Sequence, residues 1–259
     1  MKTARKAVQL LRQFSRNEPE LGVRDLARRL DMDGASVHRL LRALLAERFV
    51  EQDAATRRYR LGFGVVDLAA VRISQHGLLG IASPHLEQLR DETGETVALL
   101  VADHMEAVCL AVVESRQSVR VGYDLGERIP LHASAGGQVL LAHLDEADRR
   151  AVYAAGLTRY TARTLTDPDT LEDRLARIRA ERSGWAEDSY FQDVVSAAAP
   201  VMDPKQSVVG VVTLAAPIHR CGVADLPRLS LAARRTADAI AAEWAGGFGA
   251  TQRLALPSG

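Results

Sequence analysis

The eight residues Gly34-Ala35-Ser36-Val37-His38-Arg39-Leu40-Leu41 decide the fold of the first part of the chain. Apolar residues recur there and in the next four positions at the spacing of one helical face, which predicts a helix that begins at the second of these residues. The positions expected to be buried are Val37, Leu40, Leu41, Leu44 and Leu45. Arg39 and Arg42 fall on the opposite face. Ser36 and His38 flank them, so the helix would present cationic and small polar groups to a partner.

A helix-turn-helix with a wing is predicted around this helix. Residues 23–30 have a shorter helical pattern, and the turn at 32–34 contains Gly, which is the arrangement of a helix-turn-helix. Two short strands within residues 49–61 predict a wing that carries Arg57 and Arg58. In such a module the second helix reads base edges in the major groove of double-stranded DNA, while cations of the wing hold phosphates.

Charge is distributed unevenly along the chain, although the formal net charge of the whole is zero. Residues 1–61 contain 14 Lys and Arg against 8 Asp and Glu, whereas residues 62–259 contain 19 against 25. A basic first part supports a nucleic-acid partner that the overall charge would exclude. The alternative is that the Arg-rich helices are merely solvated, since Arg outnumbers Lys by 30 to 3 in the whole chain.

The length of 259 residues and a hydrophobic content of 47% favour two globular domains. The predicted divisions are a winged helix-turn-helix at 1–61, a helical linker at 62–80, an α+β domain at 81–246 and a flexible tail at 247–259. The linker is apolar with few charges, which favours packing against a second copy, because helix-turn-helix proteins commonly act as symmetric dimers on palindromes. We therefore expect a homo-oligomer, either a dimer or a dimer of dimers. Packing of the linker on its own second domain is the alternative.

The second part of the chain alternates strand and helix patterns. Strands are predicted at 97–101, 108–113, 119–123, 196–201 and 207–217, and helices at 84–94, 135–144, after Asp145, and at 169–183 and 225–244. Strands grouped at both ends around central helices predict an antiparallel sheet with helices on its faces, which is an α+β sensor-like domain.

A candidate ligand site opens one of these helices. Ser134-Ala135-Gly136-Gly137 has very small side chains at a helix start, where backbone N–H groups are free and the helix dipole is positive. Such a turn suits a carboxylate. The alternative is that the glycines serve close packing of this helix on a strand.

Three stretches of the chain resemble the IclR family of bacterial transcription regulators. Residues 34–41 are similar to the recognition helix of that family, and residues 130–141, PLHASAGGQVLL, to its pocket loop and helix. The stretch Ala198-Ala199-Pro200-Val201, followed by Gly210-Val211-Val212, is similar to its final hairpin. The resemblance implies a winged helix-turn-helix joined through a helical linker to a GAF-like effector-binding domain, and hence a ligand-responsive regulator that binds a palindromic DNA operator.

The resemblance also implies where a small-molecule effector would lie. The matching positions are Ser134, Ala135, Gly136, Asp188, Val194 and Ser196, and the effector would be an organic acid or an aromatic metabolite. The family usually has Lys where this chain has Gln138, and the segment between Gly184 and Pro200 is about two residues shorter than the common pattern. These departures fall around the pocket and therefore bear on effector identity.

An enzyme with an accessory DNA-binding domain is the rival interpretation. The run from His132 to Gly136 is similar to the nucleophile turn of hydrolases, but it lacks the leading Gly and follows no long apolar strand. The histidines never fall at metal-ligand spacing with a Cys or a carboxylate, and the apolar strand around Cys109 supplies no activating cation. We therefore expect no catalytic residue, no metal and no cofactor.

Cysteine usage and hydropathy predict a cytoplasmic protein with no membrane partner. Cys109 and Cys221 form no C-x-x-C pair, and no apolar run approaches the roughly 20 residues that span a bilayer. Arg12 and Gln13 interrupt the first 16 residues, where a signal peptide would need an unbroken apolar region.

Overall fold

The computed structural model describes residues 2–74 and 77–247. These residues form two compact units, one before and one after the break. Residues 248–259, nearly all of the predicted tail, lie outside the described residues. Within the described ranges no single helix is long and apolar enough to cross a membrane, although two consecutive helices, 63–72 and 77–93, would together have that length and composition.

The first unit is a winged helix-turn-helix, which confirms the prediction. Its elements are α1 Lys2–Leu11, α2 Val23–Leu30, α3 Gly34–Ala46, β1 Val50–Gln52, β2 Tyr59–Leu61 and α4 Phe63–Ser74, and β1 and β2 pair antiparallel. Asp31 ends α2 in the left-handed conformation, with φ of 49°. Asp33 then caps α3, because its carboxylate accepts a hydrogen bond from Ser36 N at 2.8 Å. The two caps confine the turn between the helices to three residues.

One face of α3 supplies much of the core of this unit. Val37, Leu40 and Leu41 are buried, and Leu44 continues the same stripe half-buried. These four positions follow the spacing i, i+3, i+4, i+7 of a single helical face. The expectation that Leu45 is buried is wrong. Its side chain is 44% exposed because it falls one residue beyond the stripe.

The second unit is an α+β domain built on one six-stranded sheet. Its helices are α5 Gly77–Thr93, α6 Ala135–Ala142, α7 Glu146–Ala154, α8 Pro168–Glu181 and α9 Leu226–Gly247. Its strands are β3 Thr96–Asp103, β4 Glu106–Val113, β5 Arg128–Pro130, β6 Gly184–Glu187, β7 Val194–Met202 and β8 Val208–Pro217. The spatial order is β5-β4-β3-β8-β7-β6, and every neighbouring pair is antiparallel. The predicted fold class is therefore confirmed.

Both faces of this sheet are covered by helices. In β3, Ala98 and Leu100 pack with residues of α6 and α8, whereas Val97 and Leu99 pack with residues of α5 and α9. Successive side chains of a strand point to opposite faces. Burial of both faces explains why this strand is a continuous apolar run and lacks the polar positions of a half-exposed strand.

The strand predicted at 119–123 is wrong. Side chains satisfy the carbonyl groups of this segment, since Thr96 Oγ1 donates to Val121 O at 2.7 Å and Arg220 Nη1 donates to Val119 O at 3.0 Å. This edge of the sheet is formed by β5, which pairs with β4. A segment whose carbonyls are bonded to side chains has less need of a neighbouring strand.

Two further elements differ from the prediction. The helix predicted to start at Pro84 begins earlier, at Gly77, and Pro84 lies inside it. A buried stripe that includes Leu78 and Leu86 runs through this proline, and tertiary packing of such a face outweighs the lost backbone hydrogen bond. The short strand β6 has only four residues, and sequence periodicity does not indicate it.

Two glycines hold the start of α4 against the connection between α3 and β1. Gly62 N donates to Phe49 O at 2.9 Å, and Gly64 N donates to Arg48 O at 2.9 Å. A Cβ atom on Gly62 would lie 2.4 Å from Arg48 O, and one on Gly64 would lie 2.9 Å from the same atom. Because the obstructing atom belongs to the backbone, neither position accommodates a side chain without a shift of the chain.

Gly62→Ala should therefore destabilise the first unit. We expect the free energy of unfolding to fall by about 1–3 kcal/mol, the usual cost of forcing an atom into a packed site. Gly34→Ala is the matched control, since no atom lies within 4 Å of a Cβ there and Ala suits a helix better than Gly. Urea denaturation followed by circular dichroism measures both variants, and equal midpoints would contradict the close approach at Gly62.

Candidate functional site

The solvent side of α3 carries the polar residues that the sequence singles out. His38, Arg39 and Arg42 are exposed. Ser36 is half-buried, and its Oγ accepts a hydrogen bond from Arg39 Nη2 at 2.7 Å. Hydrogen bonds from Ser36 also lower the pKa of the Asp33 carboxyl, which keeps the cap ionised. The predicted residues thus share the side of the helix opposite its buried stripe.

The two arginines predicted in the wing, Arg57 and Arg58, have different surroundings. The Asp53 carboxylate accepts hydrogen bonds from two backbone N–H groups of the loop, at 2.7 and 3.0 Å, and so shapes the turn. Arg57 follows it in an exposed position. Arg58 Nη2 instead donates to Glu20 O at 2.9 Å and lies 3.6 Å from the Asp25 carboxylate. Arg57 therefore faces solvent, whereas Arg58 braces the wing against the start of α2.

A small cavity lies in the second unit between the start of α6, the β6–β7 hairpin and the segment that joins those two strands. This inner cavity is lined by Tyr123, Ala133, Ser134, Ala186, Ser189, Tyr190, Phe191, Val194 and Ser196. Its volume is about 10 Å³, and one buried water needs roughly 10–15 Å³. Three of the predicted effector residues line it, namely Ser134, Val194 and Ser196.

The start of α6 lies directly behind this lining. Ser134 Oγ accepts a hydrogen bond from Gly137 N at 2.9 Å. The N–H groups of Ala135 and Gly136 are hydrogen-bonded to no other described residue, so both donors are open. Neither residue lines the inner cavity, however, and a Cβ on Gly136 would lie 2.5 Å from Leu100 Cδ1. Gly136 therefore also serves the close packing of α6 on the sheet, the alternative that the sequence leaves open.

Asp188 does not line the inner cavity either. Its N donates to Val194 O at 2.8 Å, and its Oδ1 accepts a hydrogen bond from Asp193 N at 2.9 Å. Both aspartates have left-handed backbones, with φ of 47° and 57°. The Asp188 carboxylate therefore holds the ends of the 188–194 segment together.

Aromatic rings on this segment form one wall of the inner cavity. The ring centroids of Tyr190 and Phe191 are 4.6 Å apart, and Phe191 meets Tyr123 edge to face at 5.8 Å. Tyr160 packs on the outer side of Tyr190 at 5.0 Å. Burial raises the pKa values of the Tyr123 and Tyr190 hydroxyls, so both stay neutral at physiological pH. Trp185 does not line this cavity.

Two serine hydroxyls in the inner cavity are open to a ligand. Ser196 is 8% exposed, and Ser189 is 6% exposed. Neither Oγ has a hydrogen-bond partner among the residues that the structure describes. Sequence reasoning missed Ser189 and Tyr123, because no local pattern signals which distant segments meet at a cavity.

Nothing among residues 2–74 and 77–247 suggests a metal centre. No group of three or more His, Cys, Asp or Glu side chains in these ranges is arranged to hold a metal ion. The chemistry available in the inner cavity is therefore hydrogen bonding by N–H and O–H groups and contact with aromatic rings.

Both units match models of one protein family. The IclR helix-turn-helix domain matches residues 3–54, and the C-terminal domain of the bacterial transcriptional regulator IclR matches residues 70–242. The chain belongs to the IclR family of bacterial transcriptional regulators. It is 30% identical over 216 residues to the HTH-type transcriptional repressor AllR of Salmonella typhi, and this alignment covers 83% of the chain and 79% of AllR.

Solved structures of the family have the same fold. A putative transcriptional regulator from Rhodococcus sp. RHA1 is 27% identical, with a TM-score of 0.83 over 95% of this chain and 99% of that one. An IclR homologue from Microbacterium hydrocarbonoxydans, solved in complex with 4-hydroxybenzoate, is 23% identical, with a TM-score of 0.83 over 95% and 100% of the two chains. Membership of the family confirms the prediction of a DNA-binding transcription regulator over an enzyme.

His132 directly precedes Ala133 and Ser134, which line the inner cavity. Its ring is nearly buried, and its Nε2 lies 2.9 Å from Thr158 O, so this nitrogen is the donor. Its carbonyl accepts a hydrogen bond from Gln138 Nε2 at 2.9 Å. Burial lowers the pKa of His132, and burial likewise lowers that of His143 at the end of α6.

The lowered pKa of His132 predicts that the protein loses stability in mild acid. The folded pKa of His132 lies below the ordinary value of 6.5, so the unfolded chain binds the proton first as the pH falls through 6.5. The free energy of unfolding should therefore decrease from pH 7.5 to pH 5.5, by no more than about 1.4 kcal/mol per pH unit for this proton. Urea titrations should give a shallower pH dependence for His132→Gln. The exposed His219→Gln is the control, and identical slopes for both variants would contradict the assignment.

Proposed function

We propose that this regulator binds a palindromic operator through α3 and the wing, and that a small organic acid bound at the inner cavity changes its affinity for DNA. The observation that carries the proposal is the solvent side of α3, where Arg39 and Arg42 lie opposite the buried stripe of a winged helix-turn-helix. Exposed arginines on a recognition helix are suited to the acceptor edge of guanine.

The proposed DNA-contacting residues are Ser36, His38, Arg39, Arg42, Arg57 and Arg58. Arg39 and Arg42 would read bases, and Arg57 would hold a phosphate. Arg58 would first have to give up its bonds to Glu20 and Asp25, or else would position the wing without touching DNA. The basic balance of residues 1–61 supports electrostatic attraction to the duplex.

We also propose that the chain acts as a homodimer or a dimer of dimers. Phe63, Val66 and Leu68 of α4 are each more than half exposed. Large apolar side chains exposed to water are costly, and a second copy of the same helix would cover part of this surface. A dimer presents two copies of α3, which matches the two half-sites of a palindrome. A regulator of this kind would work in the cytoplasm, where bacterial DNA lies.

The effector is proposed to be an organic acid, held by the open N–H groups of Ala135 and Gly136. Backbone donors at a helix start favour an anion. Ser134, Val194 and Ser196 would complete the site, and Ser196 could bond a ligand hydroxyl. The Microbacterium relative was solved with 4-hydroxybenzoate, an acid that carries such a hydroxyl. Asp188 would act by shaping the 188–194 segment, since its carboxylate is bonded to Asp193 N.

Effector entry requires the wall of the inner cavity to move, because its volume of about 10 Å³ is smaller than any organic acid. Tyr190 and Phe191 are half-buried aromatic residues of that wall. Their displacement would open a path between α6 and β7. Movement of this segment on binding would supply a difference between the liganded and free states, which allosteric control of DNA affinity requires.

Replacing the recognition-helix arginines should impair operator binding selectively. Arg39→Ala and Arg42→Ala should each cost about 1–3 kcal/mol on a duplex selected by the full chain, and should relax preference at one base pair. Arg57→Ala should weaken binding to all duplexes alike. It should also reduce the slope of log affinity against log salt concentration by about one. Fluorescence anisotropy measures these affinities. Arg150→Ala on α7 is the control, and wild-type binding by both α3 variants would rule out this recognition face.

Substitutions in the inner cavity should alter binding of acids without altering DNA binding in their absence. Ser196→Ala should cost about 0.5–1.5 kcal/mol for 4-hydroxybenzoate if it makes one neutral hydrogen bond, whereas Val194→Phe should fill the cavity and abolish binding. Ser207→Ala, at a turn outside the cavity, is the control. Calorimetry with benzoate, 4-hydroxybenzoate, pyruvate and the matching amides decides the charge requirement. Preference for the neutral amides would refute the anion site.

A further inference from the structure

A second and larger cavity lies between α8 and β6. This outer cavity has a volume of about 340 Å³, which is within the range of small-molecule sites. Gln138, Arg174, Arg177, Trp185 and Ser189 are among the residues that line it. It meets the inner cavity only at Ala186 and Ser189, which line both.

The lining of the outer cavity includes two buried polar groups without partners. Gln138 is 2% exposed, and its Oε1 has no hydrogen-bond partner among the described residues. The orientation of this amide is fixed, because its Nε2 donates to His132 O at 2.9 Å and a flipped amide would set two oxygens against each other. Ser189 Oγ is likewise buried and without a partner in the described chain. A buried acceptor in this state is costly unless a ligand supplies a donor.

The charged side chains of the outer cavity favour an anion. Arg163 and Glu187 form an ion pair with each other. Arg174 lies over the Trp185 ring, 4.0 Å from its centroid, and donates to the Trp185 carbonyl. It forms no ion pair with a described residue, although the Glu181 carboxylate offsets part of its charge. Arg177 makes no ion pair within the described ranges. Asp173 is the remaining acid in the lining, which leaves one excess positive charge.

The guanidinium groups of Arg174 and Arg177 also act on each other. Burial lowers the pKa of Arg174, and the charge of Arg177 lowers it further. An anion between them would remove this repulsion and would form charge-assisted hydrogen bonds with both. Gln138 Oε1 therefore favours a ligand with a hydrogen-bond donor, and Arg174 and Arg177 favour a ligand with a negative charge.

We propose that the outer cavity is a second ligand site, which binds a small organic anion that also carries a hydroxyl or amide donor. Arg174 and Arg177 bind the carboxylate, and Gln138 Oε1 accepts the hydrogen bond of the donor. Ser189 contacts both this ligand and the inner cavity. Occupancy of one cavity therefore alters the wall of the other, and the two sites are coupled.

Malate is a suitable probe, since it combines carboxylates with one hydroxyl. Trp185 reports on the outer cavity, and Trp244→Phe in the full chain leaves it as the only tryptophan. Malate should change Trp185 emission saturably, because the carboxylate draws Arg174 away from the ring. Succinate, which lacks the hydroxyl, should bind about threefold to tenfold more weakly, and neutral succinamide should not bind.

Three variants in this background test the location of the site. Arg177→Glu should weaken malate binding about tenfold or more, since it replaces a charge-assisted partner by a repelling one. Arg235→Glu, which makes the same charge change on the exposed side of α9, should leave binding unchanged. Val194→Phe fills the inner cavity, and through Ser189 it should shift malate affinity without abolishing malate binding. Gln138→Met should reduce the preference for malate over succinate.

Several results would overturn the proposal. They are the absence of saturable malate binding, wild-type affinity in Arg177→Glu, or loss of malate in Val194→Phe with retention in Arg177→Glu. The last result would place malate in the inner cavity, which would support the proposed effector site while it removes the second one. Binding of benzoate-type acids that is sensitive to Ser196→Ala tests the inner cavity separately, so failure of either site is distinguishable from failure of the other.

Discussion

The close packing of α6 on the sheet and on its own preceding loop determines the rest of the second unit. A Cβ on Gly137 would lie 2.6 Å from Pro130 O and 2.8 Å from Leu131 O, and one on Gly136 would meet Leu100. Ser134, which lines the inner cavity, caps this helix. The same helix places Gln138 one residue later, at the outer cavity. Both cavities therefore depend on a helix that has almost no side chain at its first turn.

Sequence reasoning succeeds where the structure is determined by neighbouring residues. The stripe from Val37 to Leu44 and the small residues at 134–137 are local signals, and each corresponds to the element predicted. It fails where contacts with residues distant in the chain determine the conformation of a segment. The segment 119–123 alternates like a strand, but hydrogen bonds from Thr96 and Arg220 hold it outside the sheet.

The candidate ligand site shows the same division. Ser134, Val194 and Ser196 line the inner cavity. Asp188 fails to do so because a bond to Asp193 N, five residues away, is available to its carboxylate in the folded loop. Tyr123 and Ser189 reach the cavity from segments that carry no motif. A sequence pattern identifies a helix start, whereas the remaining walls of a cavity follow from tertiary packing.

Several arginines of the first unit are already bonded within the chain. Arg39 is bonded to Ser36, Arg58 to Glu20, and Arg29 to Glu18 at 2.7 Å. Each such bond restricts the rotamers of a long side chain before any partner arrives. A contact with a phosphate or a base must therefore be more favourable in free energy than the internal hydrogen bond that it replaces. This requirement limits the partners that bind tightly.

Ser189 belongs to the lining of two cavities at once, and this has a consequence for how the protein can diverge. A replacement there changes the polarity of both compartments in one mutational step. Apart from Ala186, the other residues of each lining belong to a single compartment, so their replacement acts on that compartment alone. A substitution of Ser189 therefore changes the ligand selectivity of both compartments at once. A homologue with another residue at this position needs compensating substitutions in both linings.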